Sequence, residues 1–262
     1  HSGDVRRNKE KEGSNVCAAL NHSQEYIMSD TITFTIDGAQ VTGRPGQTIM
    51  EAADEAGIYI PRLCYLEGLS PHGSCRVCTV MANGRPQTAC SFPVADGMVV
   101  ENETAELLDH RRSLVDMLFV EGNHYCMFCQ VSGECELQAL AYRFGITAPA
   151  YPFFFPRRSV DSSHPEVLME RNRCILCGRC VNASRDVDGK SVFGFTGRGR
   201  NKRIAADSAA GLGGTPLAAE DRAVDACPVG TLVRKEGAFA RPYGRRTYDR
   251  APIGSDIEKR GG

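Results

Sequence analysis

The placing of its cysteines constrains this 262-residue chain more than anything else in it. Eleven of the twelve fall into three groups, and each group contains a C-x2-C step. Such pairs are too local to staple a fold, but they aim two thiolates at one point, as a metal centre requires. Thiols used this way belong in a reducing compartment, so the cytoplasm is the expected location. A chain of this length could bury roughly three quarters of its unfolded surface as one body. The cysteine groups instead suggest three small domains, each built around a centre. No apolar run approaches the ~18 residues of a bilayer span, and no positively charged, apolar leader opens the sequence. The formal net charge of −1 gives no whole-chain reason to expect a nucleic acid or an anionic membrane as partner.

Residues 1–27 mix charges without periodicity and read as a flexible extension or artefact; Cys17 stands alone there as a free thiol. From Thr31 the stretch TITFTIDGAQVTG reads as a hairpin, with Ile32, Phe34 and Ile36 on one face and Asp37-Gly38 as the turn. Thr48 to Gly57 reads as a helix with Ile49, Ala52, Ala53 and Ala56 as its apolar stripe. A second helix is expected from about Ala105 to Phe119 behind Thr104 as N-cap, and a third around Leu137 to Phe144. The expected units are 28–104, 105–147 and 166–240. A proline-bearing linker lies between the last two, and residues 241–262 form an extended C-terminal tail.

The first group is Cys64, Cys75, Cys78 and Cys90, spaced C-x10-C-x2-C-x11-C. Plant-type ferredoxins use C-x4-C-x2-C…C, so this loop is a longer variant. Zinc also takes four thiolates, but its structural sites usually use two C-x2-C knuckles, and here there is one. The strand–turn–strand–helix ahead of Cys64 favours a [2Fe–2S] domain, and Gly73 allows the tight turn that points backbone N–H groups at sulfur.

The second group, in GNHYCMFCQVSGECELQ, holds Cys126, Cys129 and Cys135, with His124 just before. Three cysteines leave one corner of a four-iron cluster open, and His124 is the nearest side chain able to fill it. A neutral imidazole would lower the negative charge of the cluster and shift its potential. His110, Asp116 and water are the rivals. The third group, RCILCGRC, supplies Cys174, Cys177 and Cys180. Two-cluster bacterial ferredoxins carry their next Cys after three intervening residues, where this chain has Ser184. The distant Cys227-Pro228 is the economical fourth ligand of a single [4Fe–4S] cluster.

In order, CYLEGLSPHGSCRVC, EGNHYCMFC, GECELQ, RCILCGRC and ACPVGTL resemble the amino-terminal region of the large iron–sulfur subunit of respiratory complex I. They also resemble its short relative, the diaphorase electron-transfer subunit of cytoplasmic NAD-reducing [NiFe]-hydrogenase. Complex I subunits leave three residues between the ligand His and the first Cys of the triplet, a place held here by Gly122. The H-x-C of His124 resembles the hydrogenase branch, as does the absence of a following large domain. The resemblance implies an α+β chain in three parts. These are a [2Fe–2S] ferredoxin-like (β-grasp) domain, a small helical [4Fe–4S] domain with one histidine and three cysteines as ligands, and a [4Fe–4S] ferredoxin-like domain. It implies a non-catalytic wire between a flavin subunit with FMN and the NAD site and the small and large [NiFe]-hydrogenase subunits.

The sequence agrees in what it lacks. It has no dinucleotide fingerprint after a strand, no P-loop and no catalytic residue that can be defended; AGLGGTP reads as a loop. Two other functions compete. One is the equivalent subunit of an NAD-linked formate dehydrogenase or complex I-like NADH dehydrogenase. The other is a metal-stabilised nucleic-acid binder, on the basic runs Gly197–Arg203 and Arg241–Arg246. The net charge favours reading those runs as solvated or protein-docking surface.

Overall fold

A computed structural model describes residues 31–237 and 239–258. The segment containing Cys17 lies outside the described residues. The expected hairpin forms from β1 (Ile32–Ile36) and β2 (Ala39–Gly43). Its turn residues Asp37 and Gly38 both take positive φ, 49° and 82°, which matches the right-handed twist of the strands. Helix α1 (Ile49–Glu55) opens on a full capping box: the Thr48 hydroxyl accepts from the Glu51 N–H, and the Glu51 carboxylate accepts from the Thr48 N–H. Gly57, at φ 74°, lets the chain leave the helix.

Strands β3 (Thr79–Ala82), β4 (Arg85–Thr88) and β5 (Val99–Glu101) complete a five-stranded mixed sheet. Its order is β2-β1-β5-β3-β4, with β1 and β5 parallel. Helix α1 covers one face, and Phe34, Ile36, Ile49, Met50, Ala53 and Val100 form the core between them. This is the mixed sheet with one crossing helix that the β-grasp expectation requires.

Helix α2 (Ala105–Glu121) starts at its Thr104 cap. It is tied to the sheet region by buried Arg111, whose guanidinium donates to the carbonyls of Val77, Thr79 and Asn102 and to Asn102 Oδ1. Helix α3 (Glu136–Arg143) follows the second cysteine loop. Beyond it, β6 (Val160–Asp161), β7 (Val167–Glu170) and β10 (Leu232–Arg234) make a three-stranded sheet in the order β10-β7-β6. Helix α4 (Arg179–Asp186), the β8 (Phe193–Thr196) and β9 (Arg203–Ala206) hairpin and helix α5 (Arg222–Asp225) pack with it.

The cores interlock. Around α2 and α3, the buried cluster includes Tyr59, Leu63 and Val77 from the first region, and Val229 and Ile253 from far downstream. The segment from Arg241, expected as an extended surface tail, is pinned instead. The Tyr248 N–H donates to the Gly133 carbonyl, the Arg246 guanidinium donates to the Ser132 carbonyl, and Arg241 pairs with Glu134. Ile253 is buried, Arg143 donates to its carbonyl, and Arg143 pairs with Glu258 on the short helix α6 (Ser255–Glu258). An Arg-, Gly- and Pro-rich composition reads as loop, but it cannot reveal that the arginines have carboxylate and carbonyl partners elsewhere in the chain.

Candidate iron–sulfur centres

The four thiols of the first group meet in one place. Cys75 and Cys64 sulfurs stand 3.3 Å apart, and Cys90 touches both Cys64 and Cys78. Cys64, Cys78 and Cys90 are buried. Between Cys75 and Cys78 the chain turns through Arg76 at φ 58°, and Gly73 ahead of it stands at φ 66°. These turns bring the N–H groups of Ser74 and Cys75 toward Cys64 and that of Val77 toward Cys75. Hydrogen bonds from Cys75 and Cys90 hold Cys64 far below the usual thiol range, while the bond to Cys64 and burial push Cys75 up. A group of buried thiols facing N–H donors is suited to a polynuclear anion.

In the second group, Cys126 opens a single 3-10 turn after α2 and Cys129 caps its end, and Cys135 is the residue from which α3 starts. All three influence one another electrostatically. Burial raises the Cys135 thiol well above its usual range, so that sulfur stays protonated until a cation arrives. His124 Nε2 is buried and has no hydrogen-bond partner. Burial first, then Arg173 and Arg158, lowers its pKa to about 4, so the imidazole is neutral as a metal ligand must be. Arg173 is also a charge neighbour of Cys126. The ring stands edge-on to Phe119 at 5.6 Å.

A Cβ built on Gly122 would lie 2.5 Å from His124 Nε2. The imidazole therefore fills the space that a side chain at position 122 would enter. Of the rivals, His110 is exposed on α2. Asp116 Oδ2 accepts from the Ala150 N–H, and its Oδ1 is buried without a partner.

The third group converges across a long sequence gap. Cys227 interacts electrostatically with Cys174, Cys177 and Cys180, and the N–H groups of Leu176, Arg179 and Val181 face those three thiols in turn. Leu176 and Gly178 adopt left-handed φ, 55° and 79°, which aims this backbone inward. Burial raises Cys177 and Cys180 as well. Ser184 is buried, with Oγ accepting from the Val192 N–H, a structural part in the core.

The donor chemistry fits iron–sulfur clusters: grouped thiols, inward N–H groups and one orphaned neutral imidazole.

The three sites are linked by direct contacts. Asn182 donates to the Ser70 carbonyl at 2.8 Å, Ser74 Oγ donates to the Leu176 carbonyl at 3.4 Å, and the His72 ring lies against Gly178. These join the first site to the third. The third joins the second through a bidentate Arg179–Glu136 pair at 2.6 and 2.7 Å and a bond from the Glu136 N–H to the Pro228 carbonyl. Gly230 lies against Cys129, whose Sγ would be 3.2 Å from an added Cβ.

Sequence reasoning did not single out Arg179, Glu136, Arg173 or Thr231. Arg173, Arg179 and Glu136 each stand next to a motif cysteine, and Thr231 lies in the ACPVGTL phrase; adjacency was the available signal.

Known proteins agree with this layout. Residues 29–105 match the 2Fe-2S iron-sulfur cluster binding domain, 111–149 the NADH-ubiquinone oxidoreductase-G iron-sulfur binding region, and 164–233 the ferredoxin-like domain of NADH-quinone oxidoreductase subunit 3. The NAD-reducing hydrogenase HoxS subunit gamma of Cupriavidus necator is 41% identical over 220 residues, covering 84% of this chain and 94% of that protein. The chain belongs to the family of NAD-reducing hydrogenase gamma subunits. A chain in the crystal structure of an NAD+-reducing [NiFe]-hydrogenase in the H2-reduced state superposes with a TM-score of 0.84 at 47% identity, covering 88% of this chain and 98% of that one. The 78 kDa subunit of Candida albicans mitochondrial NADH-ubiquinone oxidoreductase is 33% identical, covering 86% of this chain and 32% of that protein. Gamma subunits thus share their iron–sulfur region with much longer complex I subunits. Like them, this chain is an iron–sulfur electron-transfer component of an oxidoreductase. Among the described residues no helix is long and apolar enough to cross a membrane.

Proposed function

We propose that this chain carries electrons between a [NiFe]-hydrogenase module of small and large subunits and an FMN-containing, NAD-binding diaphorase subunit, so that hydrogen oxidation drives NAD reduction. The match over 94% of a gamma subunit is the observation that carries this reading. Cys64, Cys75, Cys78 and Cys90 hold a [2Fe–2S] cluster in the 28–104 unit. His124, Cys126, Cys129 and Cys135 hold a [4Fe–4S] cluster in the 105–147 unit. Cys174, Cys177, Cys180 and Cys227 hold another in the 166–240 unit. Once bound, these clusters supply reversible one-electron carriers.

The protein's own part is to seat and insulate them. Left-handed turns point N–H groups at sulfur, the apolar cores keep water out, and the loop contacts hold neighbouring sites against one another. The eleven free thiols among the described residues support a reducing, cytoplasmic setting. The basic run at 241–246 is partly neutralised within the chain, by Arg246–Asp249 and Arg241–Glu134 pairs, which weakens the nucleic-acid alternative.

The native complex, purified anaerobically, is expected to reduce NAD with hydrogen and to lose that activity when this chain is omitted from reconstitution; diaphorase activity of the flavin subunit alone should persist. Formate-driven but not hydrogen-driven reduction would favour the dehydrogenase reading instead. For His124, redox titration followed by magnetic resonance is decisive. His124→Cys should keep a four-iron signal but lower its potential, because a thiolate adds one negative charge. His124→Ala should give an unstable site prone to a three-iron form. An unchanged signal and potential in His124→Ala would move the assignment to Asp116.

A further inference from the structure

Two buried side-chain donors stand at the third site: Arg179 Nε has no hydrogen-bond partner, and Thr231 Oγ1 has none but the Cys174 sulfur beside it. Both residues are only 3% exposed, so bulk solvent does not reach them. Arg179 cannot swing to find another acceptor, because its two outer nitrogens are fixed on both oxygens of Glu136. Its guanidinium lies in the electrostatic field of Cys177 and Cys227. The Thr231 hydroxyl lies beside the Cys174 thiol. An unpaired buried donor is costly, and a fixed one without a partner marks an acceptor that belongs in its path. The acceptors on hand are the sulfurs gathered at this site. Backbone N–H groups face the thiols at the third site as they do at the first, so these two side chains add to donors already there.

We infer that Arg179 and Thr231 donate side-chain hydrogen bonds to the sulfurs of the third centre and thereby make it easier to reduce than the backbone alone would. The inference rests on Cys174, Cys177, Cys180 and Cys227 holding that centre. Reduction adds negative charge that spreads onto sulfur, so donors aimed at sulfur stabilise the reduced form more than the oxidised one. The positive charge of Arg179 acts in the same direction. Glu136 keeps the guanidinium in place and is a positioning residue.

The test is a redox titration of the complete complex, read by the magnetic resonance signal of the third centre at the midpoint potential of the unaltered protein. Thr231→Val removes the hydroxyl at nearly constant shape and should lower the reduced-to-oxidised ratio about threefold. Thr231→Ser should restore it. Arg179→Met combined with Glu136→Gln avoids stranding a buried carboxylate. It should lower the ratio about tenfold, equivalent to about 59 mV in a one-electron couple. The [2Fe–2S] signal should titrate as before in every variant. If the double variant loses its third centre, the Thr231 pair alone decides. A retained four-iron signal with an unmoved ratio in Thr231→Val overturns the inference while leaving the ligand assignment intact. Failure of Cys227→Ser to perturb that signal overturns the ligand assignment and the inference with it.

Discussion

The first and second sites show two ways to hold a metal centre in one chain. The first stands on a five-stranded sheet with a helix across it, and its core comes almost wholly from residues 32–100. The second sits in a loop between two helices, and its core draws on Tyr59, Leu63, Val77, Val229 and Ile253. Its loop is also open to solvent: Tyr125, Met127 and Phe128 are exposed. A centre with its own sheet can be completed locally. A centre lodged between helices needs walls lent by distant parts of the chain, and its integrity depends on them.

The most severe way to break that contrast is to delete residues 241–258, which strap the second site. Iron analysis should fall from about ten to about six atoms per chain, with the [2Fe–2S] signal retained. Equal loss from both sites would show that the first is no more self-sufficient than the second. Arg111→Met removes the guanidinium that joins α2 to the sheet region at four acceptors. It should cost at least about 3 kcal/mol in chemical denaturation, with the second site losing iron at lower denaturant than the first. Simultaneous loss would mean that the regions unfold as one.

Thr48→Ala sharpens the comparison from the other side. It breaks the capping box of α1 and should cost about 1 kcal/mol. The loss should appear in the unfolding of the sheet region, while the second site's magnetic resonance signal stays unchanged. The smallest effect is expected from Cys17→Ser: no change in iron content or activity. A drop in iron would assign the thiol outside the described residues to a site.

Much of this could be read from the sequence, because the relevant structure is local. The hairpin turn at Asp37-Gly38, the caps at Thr48 and Thr104 and the C-x2-C steps are each written within a few residues. Cys227 could be placed only by elimination, and in the structure it meets the other three thiols of its group. The contacts between sites were out of reach. Asn182 with Ser70 and Arg179 with Glu136 join residues far apart in sequence, and no periodicity records such pairs. The strap was misread for the same reason. Arg246 looks like solvated charge until Asp249 and the Ser132 carbonyl are seen beside it.

The strap and the Cys227–Gly230 loop also bear on how the protein is made. A ribosome releases the chain from its amino end, and the residues of the first core are all available once residue 101 has emerged. The second site's thiols emerge soon afterwards, at residues 126–135, but Val229, Ile253 and the Tyr248 N–H that close around them arrive more than ninety residues later. Through that interval the second group of cysteines lacks the residues that later pack around it. The middle of the sequence is therefore the last part of the molecule to be finished.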